Sequence, residues 1–154
     1  MSTIEIGKKA PAFSGNDQNG VKRTLKEFAG KKLVLYFYPK DDTPGCTAEA
    51  CDLRDNYNKF IAAEYAIIGV SPDEEKKHQK FITKYELPFD LLADTDHSIA
   101  EAFGVWVEKS MYGKKYMGTE RSTFIISETG HITTLLEKVK PDEHLQQVLA
   151  ALAS

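Results

Sequence analysis

Tyr36-Phe37-Tyr38-Pro39-Lys40-Asp41-Asp42-Thr43-Pro44-Gly45-Cys46-Thr47-Ala48-Glu49-Ala50-Cys51 is the stretch from which the rest of the chain is best read. It closes an apolar run over residues 33–38, the pattern of a strand covered on both faces. The chain then turns through a proline and two aspartates. Thr43 suits a helix N-cap, and Pro44 suits the first helical position, where its missing N–H costs nothing. Gly45 and Cys46 then fall in the first helical turn, which has free backbone N–H groups and the positive end of the helix dipole. A thiol in such a place ionises more readily, and the thiolate is the reactive form. A buried, inert thiol is the alternative, because free cysteine is often buried. Both cysteines of the chain, Cys46 and Cys51, lie in this one stretch.

Downstream, a helix is expected from Pro44 to about Ala62, with Ala50, Leu53, Tyr57, Phe60 and Ile61 at helical spacing. Residues 65–70 read as a second buried strand. Ser71-Pro72-Asp73-Glu74 repeats the start signal of cap, proline and acid, for a helix ending near Tyr85. A strand over 89–93 and a short helix over 98–103, closed by Gly104, follow. Trp106 opens an irregular stretch in which Gly113 and Gly118 bracket a basic, aromatic loop. Residues 122–126 and 132–136 read as strands joined by Glu128-Thr129-Gly130-His131, and Pro141 begins a last helix. Upstream, residues 13–16 and 21–24 flank Asp17-Gln18-Asn19-Gly20, whose Asn-Gly signals a hairpin. Thr24-Leu25-Lys26-Glu27 has capping-box spacing before a stop at Gly30. The expected fold class is α/β: one domain over 1–154, with a central mixed sheet, helices on both faces and an N-terminal hairpin. Sites in such sheets form beyond the carboxyl ends of the strands, where the loop from Pro39 to Cys46 begins.

The 20 basic and 23 acidic residues give a net charge of -3, which favours neither nucleic acid nor an anionic membrane as partner. No apolar run approaches a membrane span, and residues 1–7 lack the pattern of a secretory signal. Two close cysteines do not make a secreted disulfide framework, so a reducing, cytoplasmic setting is expected. His78, His97, His131 and His144 are scattered, and no zinc set forms with the two cysteines. No metal is expected. Neither G-x-G-x-x-G nor a P-loop is present, so nucleotide binding has no support.

Arg121, just ahead of the 122–126 strand, is the candidate for a positive charge beside Cys46. Spacing alone favours a solvated arginine; only a fold that brings that strand beside the Cys46 loop makes it catalytic. Thr43 serves as a cap and also as a hydroxyl near Cys46 for a substrate oxygen. Pro39 ends the strand or shields a thiolate from water. Glu49 reads as a solvated helix residue favoured by the dipole, and residues 109–115 as a solvated loop near the site mouth.

Pro39-x-x-x-Thr43-x-x-Cys46 resembles the peroxiredoxin signature Pro-x-x-x-Thr/Ser-x-x-Cys. Cys51 and Thr43-Pro44-Gly45-Cys46-Thr47 resemble the peroxiredoxin Q subgroup, also called bacterioferritin comigratory protein. So do Phe103-Gly104-Val105-Trp106, Glu108-Lys109, Tyr112-Gly113-Lys114 and Glu120-Arg121-Ser122-Thr123-Phe124. Val107 stands where the family often has glycine. The resemblance implies a thioredoxin-like fold and a thiol-dependent peroxidase acting on hydrogen peroxide and alkyl hydroperoxides. It implies no metal or organic cofactor, a reductant such as thioredoxin or a similar dithiol, and a monomer. Cys46 corresponds to the peroxidatic cysteine and Cys51 to the resolving one, which pairs them as a Cys46–Cys51 disulfide in the oxidised form. Thr43, Arg121 and Pro39 match the other active-site positions, and the backbone N–H groups of Gly45 and Cys46 complete a peroxide pocket. On a regular helix, positions i and i+5 stand about 8.6 Å apart. That exceeds the roughly 7 Å limit of a disulfide, so the pairing needs local unwinding. Two other readings of the residues are a thiol–disulfide oxidoreductase and a non-enzymatic redox-sensing or holdase module. The first would want Cys-x-x-Cys, where this chain has four residues between the cysteines.

Overall fold

The computed structural model describes residues 4–152. The expected domain limits at 1 and 154 therefore lie outside the described residues, as do the first three residues of the N-terminal stretch. The strands are β1 (Ser14–Asn16), β2 (Lys22–Thr24), β3 (Lys32–Phe37), β4 (Tyr65–Ser71), β5 (Asp90–Ala93), β6 (Trp106–Met111), β7 (Lys114–Thr119), β8 (Ser122–Ile126) and β9 (Ile132–Leu136). The helices are α1 (Pro44–Asp55), α2 (Tyr57–Ala62), α3 (Glu75–Tyr85), α4 (Ser98–Ala102) and α5 (His144–Leu152), and a 3-10 turn spans Leu25–Phe28. Among the described residues, a 7-stranded sheet runs in the order β2-β1-β5-β4-β3-β8-β9. β3, β4 and β5 are parallel, as right-handed crossovers through helices require. β8 lies antiparallel beside β3, and β9 beside β8. β1 and β2 form the N-terminal hairpin. No helix among the described residues is long and apolar enough to cross a membrane.

β3 is central because both of its faces are apolar. Leu33, Leu35 and Phe37 enter one core with Ile68, Val70, Phe103 and Phe124. Val34, Tyr36 and the following Tyr38 enter the other with Leu53, Phe60, Phe81 and Val148. The period-2 alternation of a strand splits one continuous apolar run between two cores. Each fully buried large side chain stabilises the fold by about 1.5–3 kcal/mol. α1, α2, α3 and α5 cover the second core, while α4 brings Ile99 and Ala100 to the first. The mixed sheet with helices on both faces is the expected one.

Four local expectations are corrected. The helix expected to reach Ala62 is broken at Asn56, whose side chain donates to the Asp52 carbonyl at 2.9 Å in place of a backbone N–H. The helix after Ser71 starts at Glu75, because Asp73 accepts instead from Ser71 Oγ (2.8 Å) and the Asp41 N–H (2.7 Å). The stretch from Trp106 is an ordered hairpin, β6 paired with β7. Its turn residues Tyr112 and Gly113 have φ of 51° and 78°, the left-handed pair of a tight two-residue turn. A tyrosine at the first turn position hides that signal. The last helix begins at His144, after a turn over 141–143.

Gly69 of β4 is wedged between Tyr36 of β3 and Leu91 of β5. A Cβ there would stand 2.7 Å from Leu91 Cδ2 and 2.9 Å from Tyr36 Cζ, both anchored core groups. Gly69→Ala is expected to cost about 1–3 kcal/mol through overpacking. A lowered urea midpoint with an unchanged m-value checks this; wild-type stability would contradict the packing described.

Candidate active site

Cys46 is the third residue of α1 and is 1 % exposed. It sits on the inward face with Ala50 and Leu53, at the spacing that faces a helix toward one side. Thr43 occupies the N-cap position in an extended conformation, with φ -93° and ψ 156°. Its hydroxyl does not cap the helix; it donates to the Lys40 carbonyl at 3.0 Å, which corrects the expected capping bond. The Thr43 carbonyl accepts the Thr47 N–H at 2.8 Å. Pro39 is half-buried directly after β3.

The loop between them is pinned from beneath. Buried Asp41 accepts from Tyr38 Oη at 2.5 Å, and its other oxygen lies 2.6 Å from His78 Nδ1. His78 Nε2 lies 2.9 Å from the Leu92 carbonyl, and the Asp41 N–H donates to Asp73 at 2.7 Å. Asp42 takes the left-handed conformation, φ 58°, and pairs with Lys84 and Tyr85.

Arg121 reaches Cys46 because of strand pairing. Ser122 is opposite Phe37 in the antiparallel register, so the residue before β8 stands at the carboxyl end of β3, where the Cys46 loop leaves. Arg121 Nη2 lies 3.4 Å from Cys46 Sγ, and Nη1 donates to Glu49 Oε1 at 2.8 Å. Gly45 leaves room for this. A Cβ on it would meet Pro141 Cγ at 3.0 Å and Arg121 Nη2 at 3.4 Å. Burial opposes the charge on Arg121, but Glu49 and Cys46 together hold it above the usual guanidinium value.

Glu49 is not solvated as expected; it is 1 % exposed. Burial pushes its carboxyl up to about 7, against the pull of Arg121 and with help from Asp52. His144 of α5 is buried beside it. Its Nδ1 lies 3.0 Å from Glu49 Oε2, offset from hydrogen-bond alignment, and its Nε2 lies 2.7 Å from Thr123 Oγ1. Burial, and then Arg121, lower the imidazole to about 3. Tyr36 Oη is buried without a partner, and burial, Glu49 and Cys46 hold its proton firmly. Lys109 of β6 is half-buried rather than solvated, and its ammonium donates to the Thr119 carbonyl. Burial lowers its pKa, with Arg121 adding to the effect. The base of that hairpin is covered, with Thr119 buried and Trp106 packed on the first core, whereas its tip is open and Tyr112 is 98 % exposed.

Cys51 is a free, half-buried thiol further along α1, and Cys46 is also free. α1 is continuous through both, so the two sulfurs are not bonded. Cys46, Gly45 and Arg121 thus meet at the start of α1, with Thr43 at its N-cap turned to Lys40, whereas Cys51 lies further along the helix. Glu49, His144 and Tyr36 are the residues that sequence reasoning missed. The signal for Glu49 was its position three after Cys46, on the buried face of the helix.

The AhpC/TSA family model matches residues 6–135. The chain belongs to this family of peroxiredoxins, which makes it a thiol-dependent peroxidase with a thioredoxin-like fold. Within the family it groups with the peroxiredoxin Q, or bacterioferritin comigratory protein, branch. Peroxiredoxin Bcp of Bacillus subtilis is 51% identical over 150 residues, 97% of this chain and 96% of that one. Peroxiredoxin Bcp of Escherichia coli is 42% identical over 149 residues, with 97% and 96% covered. Peroxiredoxin Q of Xanthomonas campestris superposes with a TM-score of 0.90 at 41% identity, covering 97% of this chain and 98% of its own.

The buried pair sets a pH dependence. Glu49 keeps its proton up to about pH 7 when folded, against an ordinary carboxyl value of 4.5; His144 is held near 3 against an ordinary imidazole value of 6.5. As pH falls from about 6.5 to 4.5, the folded chain takes a proton at Glu49 and the unfolded chain takes one at His144, so the two effects cancel. Below about 4.5 the unfolded chain has gained a second proton and stability falls. Glu49→Gln removes the compensation, so its stability is expected to fall already from about pH 6.5 downward. Urea midpoints across this range check it; parallel wild-type and variant curves would contradict it.

Proposed function

We propose that Cys46 is the peroxidatic cysteine of a peroxidase for hydrogen peroxide and alkyl hydroperoxides. The Arg121 guanidinium 3.4 Å from a sulfur in the first turn of α1 carries this reading. A structure of bacterioferritin comigratory protein from Xanthomonas campestris concerned with its alkyl peroxide reduction activity, at 40% identity and TM-score 0.90, supports the substrate class.

The Cys46 thiolate attacks the terminal peroxide oxygen. An S–O bond forms, the O–O bond breaks, and the leaving alkoxide or hydroxide takes up a proton. Arg121 and the backbone N–H groups of Gly45 and Cys46 donate to the peroxide oxygens. Charge developing on those oxygens then meets preplaced donors, so little reorganisation is needed. Thr43 already donates its hydrogen to Lys40, so its oxygen is free to accept the peroxide O–H. Pro39 keeps water from the sulfur. The product is a sulfenic acid, the first step of cysteine oxidation.

Cys51 then attacks the sulfenic sulfur, and water leaves as the Cys46–Cys51 disulfide forms. The first turns of α1 unwind for this, since about 8.6 Å of helix separates the two positions. Thioredoxin or a similar dithiol restores both thiols by exchange. In this reading the chain works as one domain and a monomer in the cytoplasm, with no nucleic acid or membrane as partner.

Peroxide-dependent oxidation of thioredoxin is the assay. Cys46→Ser is expected to abolish turnover, and undiminished turnover would refute the assignment. Cys51→Ser is expected to keep the first oxidation and lose the intramolecular disulfide. An unchanged disulfide by mass would show the pairing to be wrong.

A further inference from the structure

We propose that Glu49, backed by His144, stores the proton that leaves Cys46 and surrenders it once the sulfur has been oxidised, acting through the guanidinium that both acids share. This rests on the reading of Cys46 as the attacking thiolate.

One half-buried cation serves two acids. Arg121 Nη1 holds Glu49 Oε1 at 2.8 Å, and Nη2 stands 3.4 Å from Cys46 Sγ. The other groups that bear on this centre are Asp52 on α1, Tyr36 on β3, Lys109 on β6 and His144 on α5. Burial keeps Tyr36 and His144 uncharged. Two buried anions on one guanidinium disfavour each other, so forming the thiolate favours a proton on Glu49. A carboxyl raised by burial to about 7 is poised to take it.

The geometry provides the place. Glu49 Oε1 is taken by Arg121, while Oε2 lies 3.0 Å from His144 Nδ1, and neither of these two atoms has a hydrogen-bond partner. Two bare lone pairs at that distance would repel, so one atom carries a hydrogen. With Glu49 ionised, the hydrogen is on Nδ1, and Nε2 accepts from the Thr123 hydroxyl. With Glu49 protonated, Oε2–H faces Nδ1, and Nε2–H donates to Thr123 Oγ1. The Thr123 hydroxyl, 2.7 Å from Nε2, can rotate to suit either form. The ring changes tautomer and stays neutral.

The step balances. The Cys46 thiol and the Glu49 carboxylate become thiolate and carboxylic acid. Attack forms the S–O bond, breaks the O–O bond and releases an alkoxide. The sulfenic acid is neutral, so Arg121 again favours ionised Glu49, and the released proton converts the alkoxide to alcohol. Thiol and hydroperoxide give sulfenic acid and alcohol without net proton exchange with the medium. Glu49 is here a positioning residue, because it touches Arg121 and not the reacting atoms.

Difference infrared spectroscopy on Cys51→Ser, which halts at the sulfenic acid, tests this after one equivalent of hydrogen peroxide at neutral pH. The expected result is loss of a carboxylic-acid C=O band and gain of a carboxylate band. Added Glu49→Gln deletes the change, and added Glu49→Asp, should the amide variant not fold, displaces it. Added His144→Phe moves the acid band, because Oε2 then faces an apolar ring in place of the imidazole nitrogen 3.0 Å away, and an unmoved band would rule His144 out. Sulfenic acid at Cys46, seen by dimedone labelling, without any carboxyl change overturns the inference and leaves the peroxidase reading standing. Absence of sulfenic acid at Cys46 removes both.

Discussion

The arrangement of the site follows from where the Arg121 guanidinium lies. It must lie within reach of Cys46 Sγ, donate to Glu49 and clear Gly45 while the 141–143 turn closes over the same helix start. Each condition comes from a different part of the chain. The antiparallel pairing of β8 with β3 brings Arg121 to the sheet end from which the Cys46 loop departs. α1 brings Cys46 and Glu49 on one face, and α5 brings His144 against Glu49. The bare backbone at Gly45 lets these parts meet.

The surroundings combine rigidity and release. Beneath the loop, Tyr38, Asp41, His78, Ser71 and Asp73 form a buried hydrogen-bonded base that holds the strand ends in place. Satisfied networks in a low-dielectric interior are stiff. The start of α1 is less firmly secured, because the Thr43 hydroxyl binds the loop and not the helix N–H groups. The break at Asn56 further separates α1 from α2, so opening the first turns need not disturb the later helix. Low local stability where a segment must move is a general feature of functional elements. A hydrogen-bonded loop base and a helix start without a side-chain cap thus sit side by side.

Much of this was legible in the chain itself. The apolar run of β3, the Thr-Pro-Gly-Cys helix start and the Asn-Gly hairpin each carry a local physical signal, and the mixed sheet follows from their order. What was hidden depends on tertiary contact. Glu49 reads as solvated by residue type, and only the shared face with Cys46, Ala50 and Leu53 shows it to be buried. His144 lies 95 positions after Glu49 in sequence, and nothing local joins them before α5 packs on α1. Tyr112 disguised the tight turn of β6 and β7, since aromatic residues seldom adopt its left-handed backbone. The Asn56 break rests on a side-chain bond to the preceding turn, which leaves no mark in apolar periodicity.

Arg121, 3.4 Å from Cys46 Sγ, is the cation proposed to serve the reacting sulfur. Its most direct test is the rate of the first Cys46 oxidation by hydrogen peroxide, followed by stopped-flow in Arg121→Met and in the parent chain. Loss of a preplaced donor to developing charge predicts a fall of about 10²–10³-fold, with the circular dichroism unchanged. An unchanged rate in a folded Arg121→Met protein would contradict it.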